Sequence, residues 1–184
     1  IARWRAEDVM PGLIILQARG GEIVKGEASF ESVTESQVAT ESPSSADYDK
    51  GLAAYESGDY ATALRVLTPF AEQGDANAQD YLGLMYQYGE GVPQDYKTAL
   101  KWYTLAAEQG STLAQTRLGA FYKNGLGVPQ DNLYAYMWLQ IAATSGRKKA
   151  SELRDIVAKE MTPAQIEKAE KLASECIAKK FKGC

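Results

Sequence analysis

The sequence has no histidine. The commonest metal ligand and the usual general base are therefore both missing, which argues against Ser/His/Asp triads, Cys/His pairs and imidazole-based zinc sites together. Cysteine is scarce: Cys176 and Cys184 are the two present. Eight residues of unbroken helix would hold them about 12 Å apart, whereas a disulfide needs Cα atoms closer than about 7 Å. Gly183 lets the chain leave a helix and fold back, so an oxidising compartment would allow a small staple. The alternative is one buried thiol and one thiol in a frayed tail. Basic residues are outnumbered, and the formal net charge of −4 argues against a surface for nucleic acid or anionic lipid, leaving proteins as the natural partners. Long apolar runs are missing as well. The densest, Leu13-Ile14-Ile15-Leu16, falls far short of the roughly 18 to 20 residues that cross a bilayer, so no transmembrane segment is expected. The chain begins at Ile1 and not at Met, which leaves room for an upstream signal peptide or further sequence.

What is present is a repeat. Gly89-Glu90-Gly91-Val92-Pro93-Gln94-Asp95 returns 36 residues later as Gly125-Leu126-Gly127-Val128-Pro129-Gln130-Asp131. The period extends beyond the loop, because Asp59, Asp95 and Asp131 align, as do Ala63, Ala99 and Ala135, then Gly74, Gly110 and Gly146. Periodicity on this scale marks stacked units of a solenoid. Residues 1–45 do not share it. Gly20-Gly21 between two apolar stretches is a hairpin signal, with a short helix or extended arm as equal alternatives. Residues 31–45, rich in Ser, Thr, Glu and Val, read as a linker that is disordered in the free state.

From Ala46 onward the pattern predicts helices in pairs: Asp47 to Ser57 with Asp59 to Gln73, Ala76 to Tyr88 with Asp95 to Gln109, and Thr112 to Asn124 with Asn132 to Ser145. Glycines follow as stops. Tyr96, Ala99, Leu100, Tyr103 and Ala107 form one apolar stripe at helical spacing. Asp95 and Asp131 are placed to cap their helices, matching the positive end of the helix dipole. Ala99 and Ala135 supply small contacts at close crossings, and Trp102 and Trp138 supply bulk at equivalent places. The loop phrase reads as structural punctuation. Its glycines resemble a phosphate loop, but neither copy has the Lys-Ser/Thr ending or a preceding strand. No cofactor or metal set is expected.

The last segments differ. Lys148 to Glu160 carries Leu153, Ile156 and Val157 on one side, and Thr162-Pro163-Ala164-Gln165 is a capping box opening a final helix. That helix places Ile166, Ala169, Leu172, Ala173, Cys176 and Ile177 on one face, with Lys and Glu outside. A stacked array needs such a polar-backed end, so this pair reads as the C-terminal cap.

The units 75–110 and 111–146 resemble Sel1-like repeats, relatives of the tetratricopeptide repeat. In one, the resemblance rests on Ala78, Leu82-Gly83, Tyr86, Gly89 to Asp95, Ala99, Trp102-Tyr103 and Ala106-Ala107. In the other it rests on Ala114, Leu118-Gly119, Tyr122, Gly125 to Asp131, Ala135, Trp138 and Ala142-Ala143. Residues 46–74 look more like an ordinary tetratricopeptide repeat, with Gly51, Tyr55, Gly58-Asp59-Tyr60 and Ala63 but without the four-residue loop extension. The resemblance implies an all-α fold, a right-handed α-α superhelical solenoid over residues 46–184, with residues 147–184 as capping helices and 1–45 as a non-repeat arm.

It also implies a non-catalytic adaptor, scaffold or regulator that binds another protein or peptide segment. The first helix of each pair would line a concave face, exposing Tyr48, Leu52 and Tyr55, then Asp80, Leu84, Gln87 and Tyr88, then Thr116, Ala120, Lys123 and Asn124. The alternative is a cell-envelope hydrolase, since a β-lactam-hydrolysing or penicillin-binding activity is attributed to cysteine-rich relatives. Ser111 and Ser145 would be its candidate nucleophiles, but both are ordinary capping material at helix boundaries, with no base at recognisable spacing. The terminal Cys pair and the resemblance together favour a periplasmic or exported bacterial location, with the cytoplasm as the alternative. Self-association is a further expectation, through an N-terminal arm presenting Leu13 to Leu16.

Overall fold

A computed structural model describes residues 44–184. The expectations for the arm and most of the linker, self-association through the arm included, lie outside the described residues. Among these there are eight helices and no strand: α1 (Ser45–Glu56), α2 (Tyr60–Glu72), α3 (Ala76–Tyr88), α4 (Tyr96–Ala107), α5 (Thr112–Asn124), α6 (Asn132–Thr144), α7 (Lys148–Ala158) and α8 (Pro163–Ala178). Each helix from α1 to α6 packs on the next, and α6 also carries α7 and α8. The result is an all-α solenoid of helical hairpins.

The helix starts follow the local chemistry. Asp59 accepts from the backbone N–H of Thr62 at 3.1 Å. Asp95 accepts from Lys97 and Thr98, and Asp131 from Leu133 and Tyr134, so each aspartate satisfies donors that have no partner within the helix. Thr162 and Gln165 form the reciprocal box that opens α8. The start of α1 departs from the sequence reading, which kept Ser44 and Ser45 in the linker. Ser44 is the N-cap and Asp47 answers it from the third helical position, so a Ser-rich stretch that looked like linker is a capping box.

Within each pair, a glycine of the first helix meets a large residue of the second. A Cβ on Gly51, Gly83 or Gly119 would lie 2.7, 2.3 or 2.4 Å from the side chain of Leu67, Tyr103 or Leu139. The three large residues follow the 36-residue period. Between pairs, the contact is made by the second glycine of the loop phrase. Gly127, at φ 69°, sits so close to the backbone of Tyr96 that a Cβ would be 2.6 Å from its carbonyl carbon, and Gly91 approaches Tyr60 in the same way. These loops seat each repeat on the start of the preceding second helix.

Ala63, Ala99 and Ala135 are fully buried, as their alignment predicted. Trp138 is buried in one cluster with Ala173 and Cys176 of α8, whereas Trp102 has no such cover and stays half-buried. Side-chain amides provide a second periodic contact. Gln79 donates to the carbonyl of Ala71 and Gln115 to that of Ala107, so each amide adds a second donor to a carbonyl at the end of the preceding helix that the N–H of Gly74 or Gly110 already partners.

The α7–α8 pair differs in detail from its sequence reading. Ala150 and Val157 are the buried residues of α7, and Ile156, expected beside Val157, is 44% exposed. The α7 stripe needs one residue per turn against α6, which Ala150, Leu153 and Val157 supply. Ile177 of α8 is likewise exposed, because the chain leaves the helix one residue later.

Candidate functional site

The first helices α1, α3 and α5 lie side by side and leave a groove with a cavity of about 300 Å³. Residues four apart on a helix share a face, and each helix contributes such a pair: Tyr48 and Leu52 from α1, Asp80 and Leu84 as well as Asn77 and Tyr81 from α3, Leu113 and Arg117 from α5. The walls are therefore aliphatic and aromatic. Leu113 is 40% exposed at the rim.

The floor is charged but compensated. Asp80 is 6% exposed, and Nη1 of Arg117 donates to both of its carboxylate oxygens. Burial raises the Asp80 pKa, and the Arg117 charge opposes that rise. The Arg117 guanidinium also lies over the Tyr103 ring, 5.5 Å from its centroid. Tyr103 in turn donates its hydroxyl to Gln87 Oε1 at 2.7 Å, and burial raises its pKa. Arg117 thus joins α5 to both helices of the preceding pair. At the other end of the groove the Tyr48 hydroxyl is pushed up to about 12, first by burial and then by the nearby Asp75 carboxylate, so it remains a neutral donor at physiological pH.

Of the expected concave set, the structure brings Tyr48, Leu52, Asp80 and Leu84 together around this groove. Asp80 and Thr116 are not exposed, contrary to expectation. The first is covered with its Arg117 partner, and the second donates its hydroxyl back to the Thr112 carbonyl. Tyr55 turns to structural use: it donates to Glu90 at 3.0 Å and packs edge-on against Tyr60 and Tyr81. Gln87 is occupied by Tyr103. Tyr88 is 61% exposed but outside the groove lining. Asn124 is exposed and donates its amide to the Ala120 carbonyl within α5, Lys123 faces Glu160 at 3.5 Å, and none of these three residues lines the groove.

The sequence reading missed Asn77, Tyr81, Leu113 and Arg117. A usable signal existed for the last: Arg117 is 36 residues after Tyr81, so the repeat puts a cation into an aromatic slot next to the aspartate. Of the candidate nucleophiles, Ser111 is the N-cap of α5 and accepts from the Ala114 N–H, and Ser145 is the C-cap of α6.

The model of the Sel1 repeat matches residues 76–111 and 112–146, the two units whose loops and groove helices have just been described. The chain carries Sel1 repeats. Among solved structures it is similar to a protective antigen present in uropathogenic Escherichia coli strains that displays an SLR fold. The two are 30% identical with a TM-score of 0.69, over 74% of this chain and 31% of the antigen. A Sel1 repeat protein from Oxalobacter formigenes is 40% identical over 50% of this chain and 27% of its own, with a TM-score of 0.49. This chain thus spans about a third of the antigen's length. No curated protein matches the sequence. Sel1 repeat proteins generally mediate protein–protein interaction, and the fold typically serves non-catalytic binding. Among the described residues no helix is long and apolar enough to cross a membrane.

Proposed function

We propose that this Sel1 repeat array is an adaptor or scaffold that holds a segment of another protein in the groove formed by α1, α3 and α5. The observation that supports this is an open apolar and aromatic lining contributed by the first helices of three successive pairs. Apolar anchors above a compensated ion pair suit an apolar or amphipathic segment, either extended or helical. Most other aromatic side chains are committed to packing.

The test compares proteins captured from the source cells by the wild-type chain and by a Tyr48→Ala/Leu84→Ala/Leu113→Ala variant, with Tyr88→Ala as an exposed control outside the groove. Loss of a captured protein in the triple variant alone supports the proposal. Equal capture by all three moves the site elsewhere. We further propose an exported, oxidising location such as the bacterial periplasm, supported by the disulfide between Cys176 and Cys184. Alkylation of both thiols in protein taken directly from its native compartment, without added reductant, would contradict this location.

A further inference from the structure

After α8 the chain reverses. Lys180 and Phe181 have φ of 52° and 66°, a left-handed backbone that residues with a Cβ adopt at a cost. Several contacts hold the reversal. Cys184 is bonded to Cys176, which is 3% exposed in the same cluster as Trp138 and Phe121. The Phe181 ring lies over Gly110 in the turn between α4 and α5. The Gly183 N–H donates to Glu108 Oε1 at 3.1 Å, and Lys182 lies 3.9 Å from the same carboxylate. Residues 179–184 therefore tie the cap to an earlier repeat across the side of the array made by the second helices. There Lys182 also forms part of the wall of a cavity of about 470 Å³, together with Trp102, Leu105 and Glu108.

We propose that Cys176–Cys184 is a redox latch whose reduction by a dithiol releases residues 179–184 from the α4–α5 turn and opens the second-helix side of the array, leaving the groove of α1, α3 and α5 intact. The attack falls on Cys184, because its partner is buried. A thiolate of the dithiol bonds to Cys184 Sγ, the disulfide breaks, and Cys176 leaves as a thiolate that takes up a proton. The second thiol then closes the reagent's own disulfide and frees the Cys184 thiol. In total two electrons and two protons pass to the protein. Without the bond the reversal keeps its local backbone hydrogen bonds, from Phe181 N–H to the Cys176 carbonyl and from Lys182 N–H to that of Lys179. Its hold on the α4–α5 turn, however, rests on the packing of Phe181, one hydrogen bond and one ion pair whose lysine is 65% exposed, and exposed pairs contribute little. The groove is separate, since none of its lining residues comes from α8 or the tail.

The test is hydrogen exchange on the full chain, oxidised and after dithiothreitol, and on a Cys184→Ser variant, with thiol labelling to confirm reduction. Exchange should rise severalfold in peptides covering 105–113 and 176–184, stay unchanged in 77–88, and return on reoxidation; Cys184→Ser should behave like the reduced chain. Unchanged exchange in the tail of fully reduced protein would overturn the latch. Raised exchange along the whole array would also overturn it, because the bond would then be a staple of the fold.

Discussion

No side chain fits on Gly83 opposite Tyr103, because the first carbon of one would lie 2.3 Å from the ring atom Cε1. The glycine lies inside α3 and the ring is fully buried on α4, so the closeness of the two helices depends on this pair. Gly83→Ala should therefore destabilise the fold. The ~1 kcal/mol that alanine gains in helix propensity is outweighed by overpacking of about 1–3 kcal/mol. A lower urea midpoint is expected, with a smaller additional loss when Tyr103→Ala is combined with it than in the wild-type background. A midpoint at or above wild type would show that the helices separate freely.

Arg117 is the only cation hydrogen-bonded to the buried Asp80 among the described residues. Removing it with Arg117→Ala leaves the carboxylate only the unbonded charge of Arg147 and should cost about 3 kcal/mol, whereas replacing both partners with leucine should be close to neutral. Urea titrations of the single and double variants check this. Equal losses in both would mean that the aliphatic packing of Arg117, and not its charge, supports the groove.

Gln115→Ala should cost about 1 kcal/mol, since the Ala107 carbonyl loses its side-chain donor but keeps the Gly110 N–H. Thermal unfolding measures it, and a change confined to a few tenths of a kcal/mol would show that water replaces the amide.

Acid should weaken the fold through the helix caps. The Asp95 carboxyl is held low chiefly by the Thr98 hydroxyl and backbone N–H, Asp59 likewise by Thr62, and Asp47 is lowered to about 2, first by its hydrogen bond from Lys50 and then by Ser44. A carboxyl lowered in the folded chain contributes stability above its ordinary value of 3.8, and that stability is lost as pH falls toward the folded value. Asp80 acts oppositely: its raised pKa means that protonation favours the fold as pH drops toward 3.8. Asp59→Asn/Asp95→Asn keeps good caps without titration, so its urea midpoint should fall less steeply than wild type below about pH 4. Parallel curves would remove the caps from the acid response.

The architecture was legible because its causes are local or periodic. An aspartate before each second helix fixes the start, and the glycines of the loop phrase fix the seating of one repeat on the next. The concave set was only half legible. Spacing within one unit says which residues share a face, but Asp80 is buried by Arg117, 37 residues further on, and Tyr55 is drawn inward by Glu90. Both partners lie beyond the residue's own helix, so the exposure of either residue depends on what the array places opposite it. Ile156 and Ile177 show the same limit in α7 and α8, where apolar positions next to buried ones on the same helix are themselves exposed.

The most direct test of the account places a photo-crosslinking amino acid at Leu113, in the groove, or at Leu105, on the second-helix side, and irradiates the source cells. The groove account expects a discrete adduct with another protein from position 113, absent from position 105 and abolished by Tyr48→Ala/Leu84→Ala. A discrete adduct from position 105 with none from 113 would contradict it.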